Sequence, residues 1–346
     1  KTPVDNILNF NSTTLKYEFY LSSTKSFLGE FIYPETFELL VSRNNDDVFL
    51  TAYSNYFDIQ SLGSDPFFGT FTAEVNPNNN REIIIYFTPK NPFLTIDIKS
   101  IKESTPNTVG IATTSFGYIK NVELCNNYTG LSTEVFYTIP SSQCKSGTLI
   151  VGISSSFSCV EKSFEASFVD TGSDVLISKY AENILSELGT INIVKNGSNL
   201  EFNYSGVGVG VTVQANLKLI TNTNYGNSPV NKAVSKIASS QITTNLSSTG
   251  ISTISGQYGY TKYTMEIEQN TGISTQRSIV QLNTIHFENY LNTVLYDING
   301  NINLSDLSFV MDYNIIGNNY TLYFNPVTSA SYKLTVYETS LLSPSQ

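Results

Sequence analysis

The sequence predicts an all-β protein made of three tandem antiparallel β-sandwich repeats, each about 100–115 residues long. Three observations lead there. Short runs alternate apolar and polar residues, as in Phe93–Ile98 (FLTIDI) and Tyr332–Tyr337 (YKLTVY), which marks strands with one buried face. Turn formers punctuate these runs, as at Asn76-Pro77-Asn78-Asn79-Asn80 and Asn196-Gly197-Ser198. One block of sequence also recurs.

The recurrence is clearest between Phe37–Tyr53 (FELLVSRNNDDVFLTAY) and Phe164–Tyr180 (FEASFVDTGSDVLISKY), which match at a constant offset of 127 residues. Phe37 falls on Phe164, Glu38 on Glu165, Asp47-Val48 on Asp174-Val175 and Tyr53 on Tyr180. A weaker third copy, Val280–Tyr296, has Gln281 at the glutamate position and Tyr296 at the tyrosine position. The flanking elements keep the same order. Each copy opens on a strand (Leu15–Leu21, Thr148–Ile153, Thr261–Ile267). Each continues through Phe67–Val75, Glu187–Val194 or Asp306–Tyr313 into a strand carrying Phe87, Phe202 or Phe324. Each closes on an alternating strand. The repeats are placed at 1–103, 104–222 and 223–346, joined by polar connectors at Ser104–Gly117 and Thr221–Val230.

Helix is expected to be scarce. Ile184, Leu185 and Leu188 before Gly189 admit a short helix over Ser178–Gly189, with an irregular loop as the competing expectation. Gly206–Val211 (GVGVGV) reads as a flexible hairpin or bulged strand and not a phosphate loop, since no Lys-Ser/Thr follows.

Composition narrows the function. The 346 residues are 40% hydrophobic, with 22 Tyr and 21 Phe, but only 14% are charged. Polar surface must therefore come from Asn, Ser and Thr. The net charge of −10 and the lack of any Lys/Arg run argue against nucleic-acid binding and attraction to anionic lipid. No apolar stretch is long enough for a membrane-spanning helix. The chain opens on Lys1 rather than Met and shows no signal peptide. Seven Asn-x-Ser/Thr sequons are what an Asn/Ser/Thr-rich chain produces by chance.

Cys125, Cys144 and Cys159 have no metal-ligand spacing. They are expected as buried thiols, with a Cys125–Cys144 bridge as the alternative. His286 is the sole histidine and has no clustered partner, so His-based catalysis is not expected. Asp46-Asp47 reads as a solvated acidic turn rather than a calcium loop. No metal or other cofactor is expected. Glu38 and Glu165 read as structural, and Tyr53, Tyr180 and Tyr296 as core aromatics with a hydroxyl at the rim.

One stretch carries a catalytic signature. Asp170-Thr171-Gly172-Ser173 lies between apolar runs, as the catalytic aspartate of an aspartic protease does. That chemistry needs two carboxylates sharing a proton. The aligned positions are Arg43-Asn44-Asn45-Asp46 and His286-Phe287-Glu288-Asn289, so no second Asp-Thr-Gly is present. Asn314–Asn319 (NIIGNN), the one segment resembling a protease's apolar-apolar-Gly element, falls in a different repeat and reads as a hairpin turn. The expected reading of Asp170 is a β-turn between core strands.

The ordered set of motifs resembles the repeated β-sandwich module of virion structural proteins from marine tailed phages, T4-like cyanophages especially. In that module a Lys-Tyr strand is followed by an Ile-His-Asp-Gly strand end. A Tyr follows the His by ten residues, and then come Gly-Thr-Phe, Phe-Thr-Pro and a closing strand. Thr261–Ile267 is similar to the opening strand, and Ile285-His286 with Tyr296 to the second element. Gly69-Thr70-Phe71 and Gly189-Thr190-Ile191 resemble the Gly-Thr-Phe step, and Phe87-Thr88-Pro89 the next strand. Phe287-Glu288 in place of Asp-Gly and Leu307-Ser308-Phe309 in place of Gly-Thr-Phe depart from the pattern.

The resemblance covers most of the chain. It implies a non-enzymatic component of a neck, tail, fibre or head decoration, located in the virion, whose partners are other virion proteins and copies of itself. A tandem-sandwich adhesin or filament subunit is the second expectation, and an aspartic protease using Asp170 the third.

Overall fold

The computed structural model describes residues 1–8, 14–23, 34–44, 47–53, 68–155, 160, 162–184, 186–208, 210–226, 235–245, 248–287 and 290–342. The protein is all-β, and its sheets are antiparallel. Among the described residues the only helical element is a single 3₁₀ turn at Leu304–Asp306.

The first stretch holds β1 (Thr2–Leu8), β2 (Leu15–Ser23), β3 (Glu35–Asn44), β4 (Asp47–Tyr53), β5 (Gly69–Asn76), β6 (Asn79–Pro89) and β7 (Ile96–Ser104). They form a large sheet of order β4-β3-β2-β7 and a small sheet of order β1-β6-β5. The second holds β8 (Gly110–Phe116), β9 (Ile119–Tyr128), β10 (Thr133–Pro140), β11 (Cys144–Ser154), β12 (Lys162–Asp170), β13 (Val175–Ile184), β14 (Thr190–Asn196), β15 (Asn199–Ser205) and β16 (Val211–Thr221). Its sheets run β13-β12-β11-β16-β9-β8 and β10-β15-β14.

The third holds β17 (Ser235–Asn245), β18 (Thr249–Ser255), β19 (Tyr258–Asn270), β20 (Thr275–Phe287), β21 (Tyr290–Gly300), β22 (Phe309–Asn314), β23 (Asn319–Phe324) and β24 (Ser331–Leu342). Its sheets run β17-β24-β19-β20-β21 and β18-β23-β22. In all three stretches a three-stranded meander is completed by a return strand beside its first member, and a three-stranded sheet faces it.

Alternation explains the pairing. On β2, Leu15, Tyr17, Phe19 and Leu21 point to one face and meet Phe71, Ile83, Ile85 and Phe87 of the small sheet. Phe164, Phe168 and Leu149 pack on Phe202 in the second core, and Tyr263, Met265 and Leu334 on Phe324 in the third. Phe87, Phe202 and Phe324 thus each lie in their own core. Each such buried aromatic contributes about 1.5–3 kcal/mol. Gly69 opens β5 and Gly189 immediately precedes β14, where a Cβ would sit 2.2 Å from Thr88 O and 2.3 Å from Ser205 O, so only glycine lets the strands close there.

Several expectations change. Residues 178–184 are strand, not helix: β13 runs through them because every pair from Lys162↔Ile184 to Asp170↔Val175 is taken up by β12. Gly206, Val207, Gly208 and Gly210 are not strand, Gly208 N donates to Gly130 O at 3.2 Å, Val211 opens β16, and Val209 lies outside the described residues. Cys125 and Cys144 are free and buried, so they do not bridge, and Cys159 lies outside the described residues. Asn314–Asn319 makes the β22–β23 turn, as expected.

Candidate functional site: a charged junction between three sheets

The second faces of β2, β3, β12, β19 and β20 do not meet solvent. They meet one another. Lys16 and Glu18 alternate with the core residues of β2, and Lys262 does the same on β19. In sheet register Glu38, Glu165 and Gln281 take one place, opposite Glu18, Ile150 and Thr264. The recurrent Glu/Glu/Gln position of the sequence is therefore the point where the three large sheets converge.

The contacts form one network. Lys16 Nζ pairs with Glu165 and lies 3.3 Å from Glu38 and 3.4 Å from Glu18. Lys262 Nζ lies 2.8 Å from Glu38 and 3.2 Å from Glu18. Asn283 Nδ2 donates to Glu38 Oε1 at 3.3 Å, and Tyr260 OH to Asn283 Oδ1 at 3.2 Å. Lys218 pairs with Glu103 at the outer end. Burial alone would raise the Glu18 carboxyl, but the ammonium groups of Lys262 and Lys16 overcome it and hold the pKa at about 2. Burial disfavours the Lys218 ammonium too, yet Glu103 beside it raises its pKa.

The recurrent tyrosine sits on a bulge in the second and third stretches, whereas Tyr53 pairs directly with Glu38 in the first. β12 and β13 pair Glu165↔Ala181 and then Ala166↔Lys179, which skips Tyr180. β20 and β21 pair Gln281↔Asp297 and then Leu282↔Leu295, which skips Tyr296. A bulged residue is re-aimed relative to its strand. Tyr180 is half-buried, and its hydroxyl donates to Glu165 Oε1 at 2.9 Å and accepts from Gln281 Nε2 at 2.9 Å. It is not a core aromatic with a rim hydroxyl; the hydroxyl joins the second and third sheets. The side chains of Tyr53, Tyr296 and His286 lie outside the described residues.

A small apolar cluster seals each seam around the charges. Leu40 meets Ile150 and Ala181; Tyr20 meets Tyr260, Ile285 and Leu341; Phe116 and Val169 meet Ile279 and Tyr337. The cavity left among Lys16, Glu18, Glu165, Lys262 and Gln281 is about 20 Å³, room for a single water. Glu18 Oε2 borders it, buried and unpartnered among the described residues. On the outer side, a shallow groove of about 280 Å³ between β7 and β16 shares Glu103, Lys218 and Tyr337 with this cavity.

Asp170 lies apart from this junction, at the end of β12. Its Oδ1 accepts from Gly172 N at 2.8 Å and lies 3.5 Å from Lys195 Nζ, while Oδ2 lies 3.1 Å from Lys145 Nζ. Burial opposes its charge, but the Gly172 amide and Lys145 lower its pKa. Asn270-Thr271-Gly272 makes the same turn between β19 and β20. Gly272 N donates to Asn270 Oδ1 at 2.8 Å, and Thr271 N to Ser274 O at 3.1 Å as Thr171 N does to Asp174 O at 2.9 Å. Asparagine does there what Asp170 does here, so the turn does not require a carboxylic acid. Asp46 lies outside the described residues, and Asp47 opens β4. Among the described residues no group of three or more His, Cys, Asp or Glu is placed to hold a metal, and no helix is long and apolar enough to cross a membrane.

The sequence reading missed Lys16, Glu18, Lys262 and the Lys218–Glu103 pair. The signal was the Lys-Tyr step shared by the first and third opening strands, Lys16-Tyr17 and Lys262-Tyr263. Fold and site together define an all-β protein in which Lys16, Glu18, Glu38, Glu103, Glu165, Lys218 and Lys262 meet where three sheets converge. Comparison of the chain with protein-family models, with curated proteins and with solved structures finds no match.

Proposed function

We propose that the chain is a non-enzymatic structural protein of a tailed-phage virion, acting in the neck, tail, fibre or head decoration through protein–protein assembly. The observation that carries this reading is the closed junction. Four glutamates and three lysines are spent on one another around a cavity of about 20 Å³, which admits a water but no substrate. Such a network fixes how three sheets sit against each other and leaves the outer faces to meet partners. Those faces are rich in Asn, Ser and Thr, which desolvate at lower cost than charges. Asp170, ionised and held by two ammonium groups, lacks the shared proton that aspartic-protease chemistry requires.

The test is mass spectrometry and electron microscopy of purified particles from the source of the chain. Density for linked β-sandwiches in a neck, tail, fibre or head position supports the reading. Particles lacking the chain overturn it, as would peptide cleavage by the purified protein that Asp170→Asn abolishes.

A further inference from the structure

We infer that β8 is a self-association edge, on which a second copy of this chain adds its own β8 in antiparallel pairing. This gives the assembly reading above a specific face and rests on it.

The strand ends the six-stranded sheet and, among the described residues, pairs with β9 alone. Gly110 through Ser115 are exposed on both faces, with Ile111 56% and the preceding Val109 55% accessible. Its outer row of backbone N–H and C=O groups is therefore open to another strand. Sheet edges are ordinarily blunted by charge, and most edges here are: Asp47 on β4, Lys102 on β7, Glu134 on β10, Lys195 on β14 and Asp312 on β22. The β8 sequence Gly-Ile-Ala-Thr-Thr-Ser-Phe has no charge and no proline. The other uncharged edge, β18, buries Ile251 and Ile254 in its own sandwich.

Electrostatics and sequence both select a second copy. A chain of net charge −10 repels itself, and a neutral edge is where two copies approach at least cost. In antiparallel pairing about Thr113, Thr113 faces its own mate, Ala112 faces Thr114 and Ile111 faces Ser115. No like charges oppose each other, and threonine pairs are favoured across strands. The contact is isologous, so it closes as a dimer and joins two six-stranded sheets into one. Seven residues a side fall well short of the roughly 20–30 of a stable interface. Association in solution is therefore weak and concentration-dependent, and multivalency strengthens it within an assembly.

The test is sedimentation velocity of the full chain in a series up to about 1 mM, alongside Ile111→Lys and Thr113→Lys. Thermal melts verify that both variants fold, as their exposure predicts. Amide exchange is followed over residues 110–115. The expected result is a dimer whose dissociation constant rises at least tenfold in each variant, with concentration-dependent protection of these amides. A dimer unaffected by the lysines overturns β8 as the face and leaves the assembly reading standing. A monomer throughout, with no gain in protection, also overturns it, and the assembly reading is then decided separately by the particles.

Discussion

Lys262 of β19 reaches across to Glu38 of β3, 2.8 Å from ammonium nitrogen to carboxylate oxygen and 224 residues apart in the chain. Both side chains are buried, at 7% and 2% exposure. Removing Glu38 takes one carboxylate from both Lys262 and Lys16, which keep Glu18 and Glu165 as partners. Glu38→Gln is expected to lower stability by about 1–3 kcal/mol in urea denaturation, the range for hydrogen bonds to charged groups. A change within the few tenths typical of surface substitutions would mean that the junction is wet and open.

Tyr180→Phe removes only the hydroxyl that links Glu165 to Gln281. A cost of about 1–2 kcal/mol is expected. Gln281 keeps its bond to Asp297 at 3.0 Å, so the loss should stay local. Equilibrium denaturation measures it, and a neutral result would place the hydroxyl in solvent.

The pH dependence has two limbs of opposite sign. Glu18 has a lowered carboxyl, so its folded form binds fewer protons than the unfolded chain. Its contribution is full above the ordinary carboxylate range and is lost as pH falls towards about 2. Melting temperature followed against pH should show this acid loss, and Glu18→Gln should flatten it. Glu266 is the reverse: burial raises its pKa, although Ser146 donates a hydrogen bond to it. Its contribution disappears as pH rises through the raised value. Glu266→Gln is therefore expected to raise the melting temperature at about pH 8 and to change little at about pH 4.

Asp170→Asn should keep its turn, because Asn270 already builds the same one. The ion pairs with Lys145 and Lys195 are lost from a fully buried side chain, so a cost of about 1–3 kcal/mol is expected. Unchanged far-ultraviolet dichroism with a lowered melting temperature would bear this out.

Cys125 and Cys144 are free and at most 1% exposed, and burial pushes both thiols up. In a Cys159→Ser background, a thiol reagent should label neither in the native protein and both in urea. Rapid native labelling would contradict their burial.

Much of the fold was legible in the sequence because strands write themselves with period two. The alternation of Tyr332–Tyr337 announced a buried face, which Tyr332, Leu334 and Val336 form, and the recurrence of Phe87, Phe202 and Phe324 marked a strand of each facing sheet. The site was legible only in outline. Glu38 and Glu165 stood out as recurrent, and Asp170 was rightly read as part of a turn. What period two cannot say is where the other face goes. Lys16 and Glu18 did not stand out, because charged residues opposite a core are normally solvated, and only the packing of three sheets buries them. Bulges hide for a similar reason. One extra residue at Tyr180 shifts the alternation by a single place, and the same letters then admit a short helix over Ser178–Gly189 or an irregular loop.

The order of synthesis adds a consequence. Glu38 leaves the ribosome 224 residues before Lys262, a delay of roughly 10–45 s at ordinary elongation rates. For that interval the growing chain carries an acid face with half its counter-charge still unmade. The first sandwich can fold alone around Tyr17 and Phe19, but its charged side must wait in water until the last third arrives. Closing the junction is thus a late event of high contact order, and a ribosome stalled within the last third would hold a folded blade with an exposed acidic flank.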